Sequence, residues 1–198
     1  MSTKTTRMEL IHLKRRILFA KRGHKLLKDK RDSMMASFFS LVRRAKQSSR
    51  AAESLHTECN RLLVSAASYS PYPGLLSASI SGESKVLVKT TYSNIASIRI
   101  PAFSLASAPP EPSLSGLSPK GAEKLFRKHR ELVLATLELA GLEKGIRLMA
   151  EEIESTNRRV NALEHILIPR FESDARAIEF KLEEREREMF ATLSRISE

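Results

Sequence analysis

Several residue types are scarce in this sequence, and each scarcity argues against a class of protein. The 198 residues include no tryptophan, one cysteine and 7 glycines, and aromatic residues make up 6%. With Cys59 as the single cysteine, the sequence allows neither an internal disulfide nor a metal site built on several cysteines, which fits a reducing compartment. So few aromatics and glycines disfavour an aromatic-packed core or a glycine-rich β fold, and they favour elongated helices.

Long apolar runs are also missing. No stretch approaches the roughly 20 apolar residues that a membrane-spanning helix needs. Residues 4–18 are too interrupted by charge to resemble a signal peptide. The sequence therefore predicts a soluble, cytoplasmic chain with no direct membrane span.

The net charge of +11 is unevenly distributed. Residues 1–60 carry 15 Lys and Arg against 5 Asp and Glu, whereas residues 121–198 carry 14 against 16. A uniformly basic chain would suggest nucleic acid or an anionic membrane as partner. Here the basic first third and the acid-rich last third can pair with each other instead.

A heptad pattern runs through the first third of the sequence. Alternate steps of 3 and 4 residues from Leu10 to Ala66 meet apolar residues except at His24, Arg31 and Ser48. This spacing is the seam of a coiled coil. It predicts one continuous helix over residues 1–67.

The last third repeats the pattern. The stripe from Leu132 to Leu167 has Thr156 as its one polar member, and Ser118 followed by Pro119 provides a helix start, which predicts a second helix over 119–198. Near Pro169 the apolar steps are 4, 4 and 4, which adds one residue to the heptads. We expect this stutter to unwind the supercoil locally and the proline to bend a helix that continues.

The seam positions predicted to pack between the two helices are all large and apolar. They are Leu10, Leu13, Ile17, Leu27, Met34, Leu41, Leu55, Leu62, Leu132, Leu139, Ile146, Ile153, Val160 and Leu163.

The composition changes over residues 68–118. SYSPYPG at 68–74 is typical of a turn, and the β-branched stretch 85–101 predicts a two-stranded ribbon that turns at Tyr92, Ser93 and Asn94. The Pro- and Ser-rich stretch 106–119 is a connector with no core-forming residues.

This order of segments predicts the fold class. It is dominated by α-helix: a long antiparallel two-helix coiled-coil hairpin with a small β-ribbon insert at its closed end. An antiparallel register places Gly23 and His24 near the level of Pro169 and His165, so we expect a bend where Gly23 and Pro169 lie.

Residue patterns for catalysis, cofactor binding and metal binding do not emerge from the sequence. GLSPKGA at 116–122 resembles a phosphate-binding loop in its glycine spacing, but it lacks the lysine after Gly121 and has no preceding strand. The five histidines are never spaced four apart, so no helical metal pair exists. The run EERERE at 183–188 is typical of an ion-paired helix face. We predict a chain that is not an enzyme.

The basic first helix leaves two other functions open. A generic coiled-coil scaffold would have the same heptads. A basic coiled coil that binds nucleic acid would have the same charge, although Phe19, Phe38 and Phe39 lie largely on or beside the apolar stripe and no DNA-reading motif is present. We expect no nucleic-acid partner.

Three stretches resemble the D subunit of the V-type and archaeal A-type ATPases. LIHLKRRILFAKRGHKLLKDKRD at 10–32 is similar to the opening helix of that family, RRVNALEHILIPRFE at 158–172 with LEEREREMF at 182–190 is similar to its second hallmark, and NIASIRIP at 94–101 resembles its central segment but has Ala96 and Ser97 in place of Met-Gly. The matching residues of the opening helix are Leu13, Lys14, Leu18, Ala20, Gly23, Leu26, Leu27, Lys28, Lys30, Arg31 and Asp32.

The resemblance implies a central rotor shaft that binds no nucleotide. Its coiled coil would stand inside a hexamer of catalytic and non-catalytic subunits, with the small F subunit and the socket subunit of the membrane ring as further partners. The chain would then be peripheral to the membrane. Five cations are expected to face the hexamer: Lys25, Lys28, Lys30, Arg185 and Arg187.

Overall fold

A computed structural model describes residues 6–69, 87–106 and 122–196. Its elements in chain order are helix α1 (Arg7–Tyr69), strands β1 (Val88–Ile95) and β2 (Ile98–Leu105), helix α2 (Ala122–Ala162), a π-helical turn (Leu163–Leu167) and helix α3 (Ile168–Ile196). The predicted fold class is confirmed in its composition, because two long helical segments flank a small two-stranded antiparallel sheet.

Helix α1 is 63 residues long and unbroken. It contains no proline and one glycine, so neither of the usual helix breakers interrupts it except at Gly23. The helix extends to Tyr69, two positions beyond the expected boundary, so Ser68 is helical and not part of the predicted turn.

The ribbon differs in detail from its prediction. Strands β1 and β2 pair antiparallel from Val88 opposite Leu105 to Ile95 opposite Ile98. The turn is made by Ala96 and Ser97, with φ angles of 51° and 70°. The prediction of a turn at Tyr92, Ser93 and Asn94 was wrong: these residues lie in β1, and β2 continues to Leu105.

By its contacts the chain divides into two compact units. The first unit consists of Met1–Met34 and Glu152–Glu198, and the second of Met35–Glu151. In the first unit, Leu13, Ala175 and Ile178 form a buried cluster. Four half-buried neighbours complete it: Leu10, Ile17, Phe171 and Leu182. Residues early in α1 thus contact residues late in α3, and the two helices run antiparallel.

In the second unit the ribbon packs on a small-residue notch of α2. A Cβ added to Gly145 would lie 2.6 Å from Cγ2 of Ile100, and one added to Gly141 would lie 3.1 Å from the Pro101 carbonyl oxygen. Ile100 is 4% exposed. An isolated ribbon is marginal in water, so this close approach of β2 to the middle of α2 stabilises it.

The helical path is continuous from Ala122 to Ile196, but it contains the π-helical turn Leu163–Leu167. The Ile168 N–H donates to the carbonyl of Leu163, five residues earlier. A π-turn holds one residue more than an α-turn. The extra residue in the heptads near Pro169 is therefore taken up within this turn, which ends two positions before the proline.

Several predicted features lie outside the described residues. They are most of the turn 68–74, the start of the ribbon at 85 and 86, the helix start at Ser118 and Pro119, most of the connector 106–119, and the glycine-containing segment 116–121.

Candidate functional site

The predicted seam residues are all buried or half-buried within their own unit. The buried ones are Leu13, Met34, Leu41 and Val160. The half-buried ones are Leu10, Ile17, Leu27, Leu55, Leu62, Leu132, Leu139, Ile146, Ile153 and Leu163.

Three ion pairs between α1 and α3 flank the seam of the first unit, and we call them the ladder. The rungs are Arg7 with Glu186, Lys14 with Glu179 at 2.7 Å, and Lys21 with Glu172 at 2.7 Å. The cations are seven residues apart, and so are the carboxylates. The cations follow one another along α1 while their glutamate partners follow in reverse order along α3, as antiparallel helices require. A shifted register of the two helices would separate these ion pairs.

The ladder stops at the π-turn. A further step of seven residues leads to Lys28 on α1 and to His165 within the π-turn, where no carboxylate is available. Instead, Glu164 lies 3.2 Å from Nε2 of His24. The seven-residue spacing of the ion pairs thus ends where the π-turn inserts an extra residue into the helix.

Polar residues enter the seam of the first unit just beyond the π-turn. Arg31 is held by Asp32, whose Oδ1 accepts from Nε at 3.0 Å, and by the side-chain oxygen of Asn157 at 3.4 Å. Thr156 is fully buried, and its hydroxyl has no hydrogen-bond partner among the residues that the structure describes. An unsatisfied buried hydroxyl costs about 1–3 kcal/mol. This part of the seam is less stable than an apolar one.

The five cations expected to face a surrounding hexamer are all exposed. Lys30 has a carboxylate within its own unit, Glu152, at 3.6 Å. Arg185 shares a helix face with Met189 and Leu193 near the end of α3. Lys25, Lys28 and Arg187 form no ion pair with any residue in 6–69, 87–106 or 122–196.

Gly23 and Pro169, the two residues predicted to set a bend, have different surroundings. A Cβ added to Gly23 would have no described atom within 4 Å, so packing inside the chain does not require glycine there. Pro169 is the second residue of α3, two positions after the last residue of the π-turn. A proline inside an α-helix clashes with the carbonyl four residues earlier, and a widened turn relieves such a clash. The bend itself stays a prediction.

Glu172 and Cys59 are among the ionisable groups with shifted pKa values. The hydrogen bond from Lys21 lowers the pKa of Glu172, and charge attraction from Lys21 adds to the shift. A lowered carboxyl pKa stabilises the fold above the unfolded-state pKa, and this contribution is lost as the pH falls through the folded-state value. Burial raises the pKa of the Cys59 thiol, and the Glu58 carboxylate raises it further.

Within the described parts of the chain, no group of three or more His, Cys, Asp or Glu side chains could hold a metal ion. None of the helices in those parts combines the length and the apolar character needed to cross a membrane. What the first unit does present is two antiparallel helices packed along a seam and bordered by partly exposed ion pairs.

Some of these features were missed by the heptad analysis, although the sequence contains a signal for each. The ladder is visible as Arg7, Lys14 and Lys21 at seven-residue spacing, matched by three glutamates at the same spacing. The notch is visible as glycines four residues apart at Gly141 and Gly145. The sequence alone does not show which residues these features contact, because the contacting residues are distant along the chain.

Comparison with known proteins links this geometry to one family. The profile of the family described as the D subunit of ATP synthase matches residues 9–198. The D subunit of an A-type ATP synthase from Methanopyrus kandleri is 40% identical over 98% of this chain and 84% of the relative. The one from Methanobrevibacter smithii is 37% identical over 96% and 84%. The D subunit of a V-type ATP synthase from a Thermoanaerobacter species is 37% identical over 98% and 94%.

Proposed function

Because the chain belongs to the family of ATP synthase D subunits, we propose that it is the central-stalk rotor subunit of a V-type or A-type ATP synthase. In this function it transmits torque between the ion-translocating ring in the membrane and the catalytic hexamer. The match to the family over residues 9–198 is the observation that carries the proposal. The role is mechanical and the rotor itself non-catalytic.

The paired helices suit this role. A rod that transmits torque must resist twisting, and two helices packed along a seam resist it better than one. The seam of the first unit has a buried apolar cluster with a flanking charge ladder. The extra residue is confined to one π-turn, and ion pairs of α1 continue on both sides of it, with Glu172 of α3 and with Glu152 of α2.

The exposed cations suit a surface that moves past its neighbours. Ion pairs at exposed positions contribute roughly 0–1 kcal/mol each, so contacts of Lys25, Lys28, Lys30, Arg185 and Arg187 with acidic loops of a hexamer can exchange during rotation. Lys30 has to leave Glu152, or share it, to take part.

The partners follow from the role. They are the catalytic and non-catalytic subunits of the hexamer around the coiled coil, the small F subunit, and the socket subunit that joins the shaft to the membrane ring. The chain would lie on the cytoplasmic side, peripheral to the membrane. Its segments 1–67, 68–118 and 119–198 would work as one elongated domain with a bend near Gly23 and Pro169.

Co-purification tests the assignment. An affinity tag on the full-length chain, expressed in the cells that produce it, should retain the catalytic and non-catalytic subunits in a ratio of roughly 3:3:1 to this chain, as expected for one shaft in a hexamer. Recovery of the tagged chain as a homodimer without these subunits would refute the proposed function and favour a scaffold.

A further inference from the structure

In the second unit, α1 has a run of exposed cations without an ion-pair partner among the described residues. Arg43, Arg44, Lys46 and Arg50 are all exposed. None of them forms an ion pair with a residue in the described parts of the chain. In the first unit, by contrast, the ladder supplies a carboxylate for Arg7, Lys14 and Lys21.

Three of these cations lie opposite the seam. At about 100° per residue, Arg43, Lys46 and Arg50 share one side of the helix with Phe39. The buried seam residues Leu41, Ala45 and Ala52 project to the other side. We call Phe39, Arg43, Lys46 and Arg50 the outer face.

The carboxylate nearest in sequence forms no ion pair with the outer face. Glu53 is three residues after Arg50, within reach of an ion pair on a helix. Its Oε1 instead accepts a hydrogen bond from the Ser49 hydroxyl at 3.2 Å. Lys46 and Arg50 are four residues apart, and like charges at that spacing destabilise a helix. A carboxylate supplied from outside would remove this repulsion.

An apolar group lies at one end of the cations. Phe39 is 53% exposed although its ring packs edge-to-face against Phe38, with centroids 5.9 Å apart. The neighbouring Val42 is 37% exposed. The surface thus joins an aromatic contact to three cations spread over about two turns of helix.

We propose that the outer face binds a short acidic segment of a partner protein, one that presents two or three carboxylates beside an apolar side chain. The three cations of the outer face require a partner with negative charge. Because these cations extend over only about two turns of helix, a protein segment fits them better than a nucleic acid. A nucleic acid would gain only about 10 Å of cationic surface, next to Phe39 on one side and the Glu53 carboxylate on the other. The inference rests on the proposed function, because the partner is then another subunit of the same complex.

The test compares two variants with the same loss of charge. Arg43→Gln/Lys46→Gln/Arg50→Gln removes the cations of the outer face. Three other exposed cations of the second unit are removed in the matched control Arg61→Gln/Lys124→Gln/Arg127→Gln. Tagged full-length chains are purified from their own cells, and circular dichroism checks that both variants remain helical.

We expect the outer-face variant to retain roughly tenfold less of one partner protein than the natural chain or the control. Carbodiimide treatment of the natural complex should also join the Lys46 amine to an aspartate or glutamate of that protein, identified by mass spectrometry. Both results together support the proposal.

Equal retention by both variants, without a Lys46 cross-link, overturns the inference and leaves the proposed function intact. A Lys46 cross-link to an acidic protein outside the ATP synthase, with no ATP synthase subunit retained, supports the acidic partner and refutes the proposed function. Nucleic acid that is retained by the natural chain and lost in the outer-face variant overturns the inference in favour of a polyanion site. If no protein is retained by any chain, both proposals are wrong.

Discussion

At the scale of single residues, the most unusual side chain is the buried Thr156. It occupies a seam position between Ile153 and Val160, yet its hydroxyl has no partner among the described residues. The heptads predict its burial, because Thr156 lies in the stripe that faces the seam, where it is the one polar residue from Leu132 to Leu167. They could not predict the missing hydrogen bond, since a helical threonine usually bonds the carbonyl three or four residues earlier.

Thr156→Val should stabilise the protein by about 1 kcal/mol, because the replacement keeps the branched shape and removes the unsatisfied hydroxyl. Urea unfolding followed by circular dichroism measures the change. The control is Thr136→Val, at an exposed threonine whose hydroxyl bonds the Val133 carbonyl, and it should change stability little. A loss of stability in Thr156→Val would show that the hydroxyl has a stabilising contact.

A second feature at the residue scale is the backbone strain at the turn of the ribbon. Ala96 and Ser97 both have positive φ, where residues with a Cβ are disfavoured and glycine is not. Two such residues between paired strands are typical of a type I′ hairpin turn. The departure from Met-Gly in the family's central segment therefore falls on the position where glycine is most useful.

Ser97→Gly should stabilise the ribbon by about 0.5–1 kcal/mol by relieving the positive φ. Slower amide hydrogen exchange in β1 and β2 would report it. Ser104→Gly is the matched control, since Ser104 lies in β2 and is not among the described non-glycine residues with positive φ. It should speed exchange, because glycine weakens a strand. Faster exchange in both variants would contradict the role of the turn.

At the scale of elements, the π-turn explains how a regular heptad stripe can contain three successive steps of four residues. The apolar steps near Pro169 contain one residue too many for a regular heptad, and we expected the supercoil to unwind. The structure instead concentrates the surplus in Leu163–Leu167, where Ile166 is 64% exposed. The sequence predicts the surplus residue but not its form, because a π-turn and a spread-out unwinding satisfy the same spacing.

A deletion tests whether the π-turn holds the surplus residue. Removing Ile166 in a Pro169→Ala background should leave a regular α-helix with the ladder and the Leu13 cluster in register, so the free energy of unfolding should change by less than about 1 kcal/mol. Unfolding in urea measures it, and Pro169→Ala alone is the reference.

Deletion of the exposed Lys181 is the contrasting variant. It lies in regular helix, so its loss rotates Leu182 and Glu186 away from their partners and should cost at least about 2 kcal/mol. If the two deletions destabilise the protein equally, the π-turn does not absorb the extra residue.

The strands of the ribbon could be predicted from sequence patterns, but the position of the ribbon on α2 could not. Its two strands were predictable from β-branched residues, whereas its packing depended on Gly141 and Gly145, which look like ordinary helix-weakening glycines in sequence. Only the contact with Ile100 and Pro101 explains them. Local propensity identified the element, and tertiary packing decided where it lies.

At the scale of the molecule, the positive charge falls into two sets. In the first unit, cations of α1 meet carboxylates of α3, as the opposite balances of the first and last thirds predicted. In the second unit, Arg43, Lys46 and Arg50 form no ion pair with a described residue, and we propose that they bind a partner outside the chain. The charge that at first suggested nucleic acid is thus divided between cations paired within the chain and cations for which we propose a protein partner.

Rotation of this chain within an assembled complex tests the central claim most directly. With the hexamer fixed to a surface through tags on its catalytic subunits, a gold particle is attached to the exposed site Thr57→Cys in a Cys59→Ala background. We predict that ATP drives unidirectional rotation of the particle, whereas a particle on a catalytic subunit stays still. A particle on this chain that remains fixed while the same complexes hydrolyse ATP would contradict the assignment of a rotor shaft.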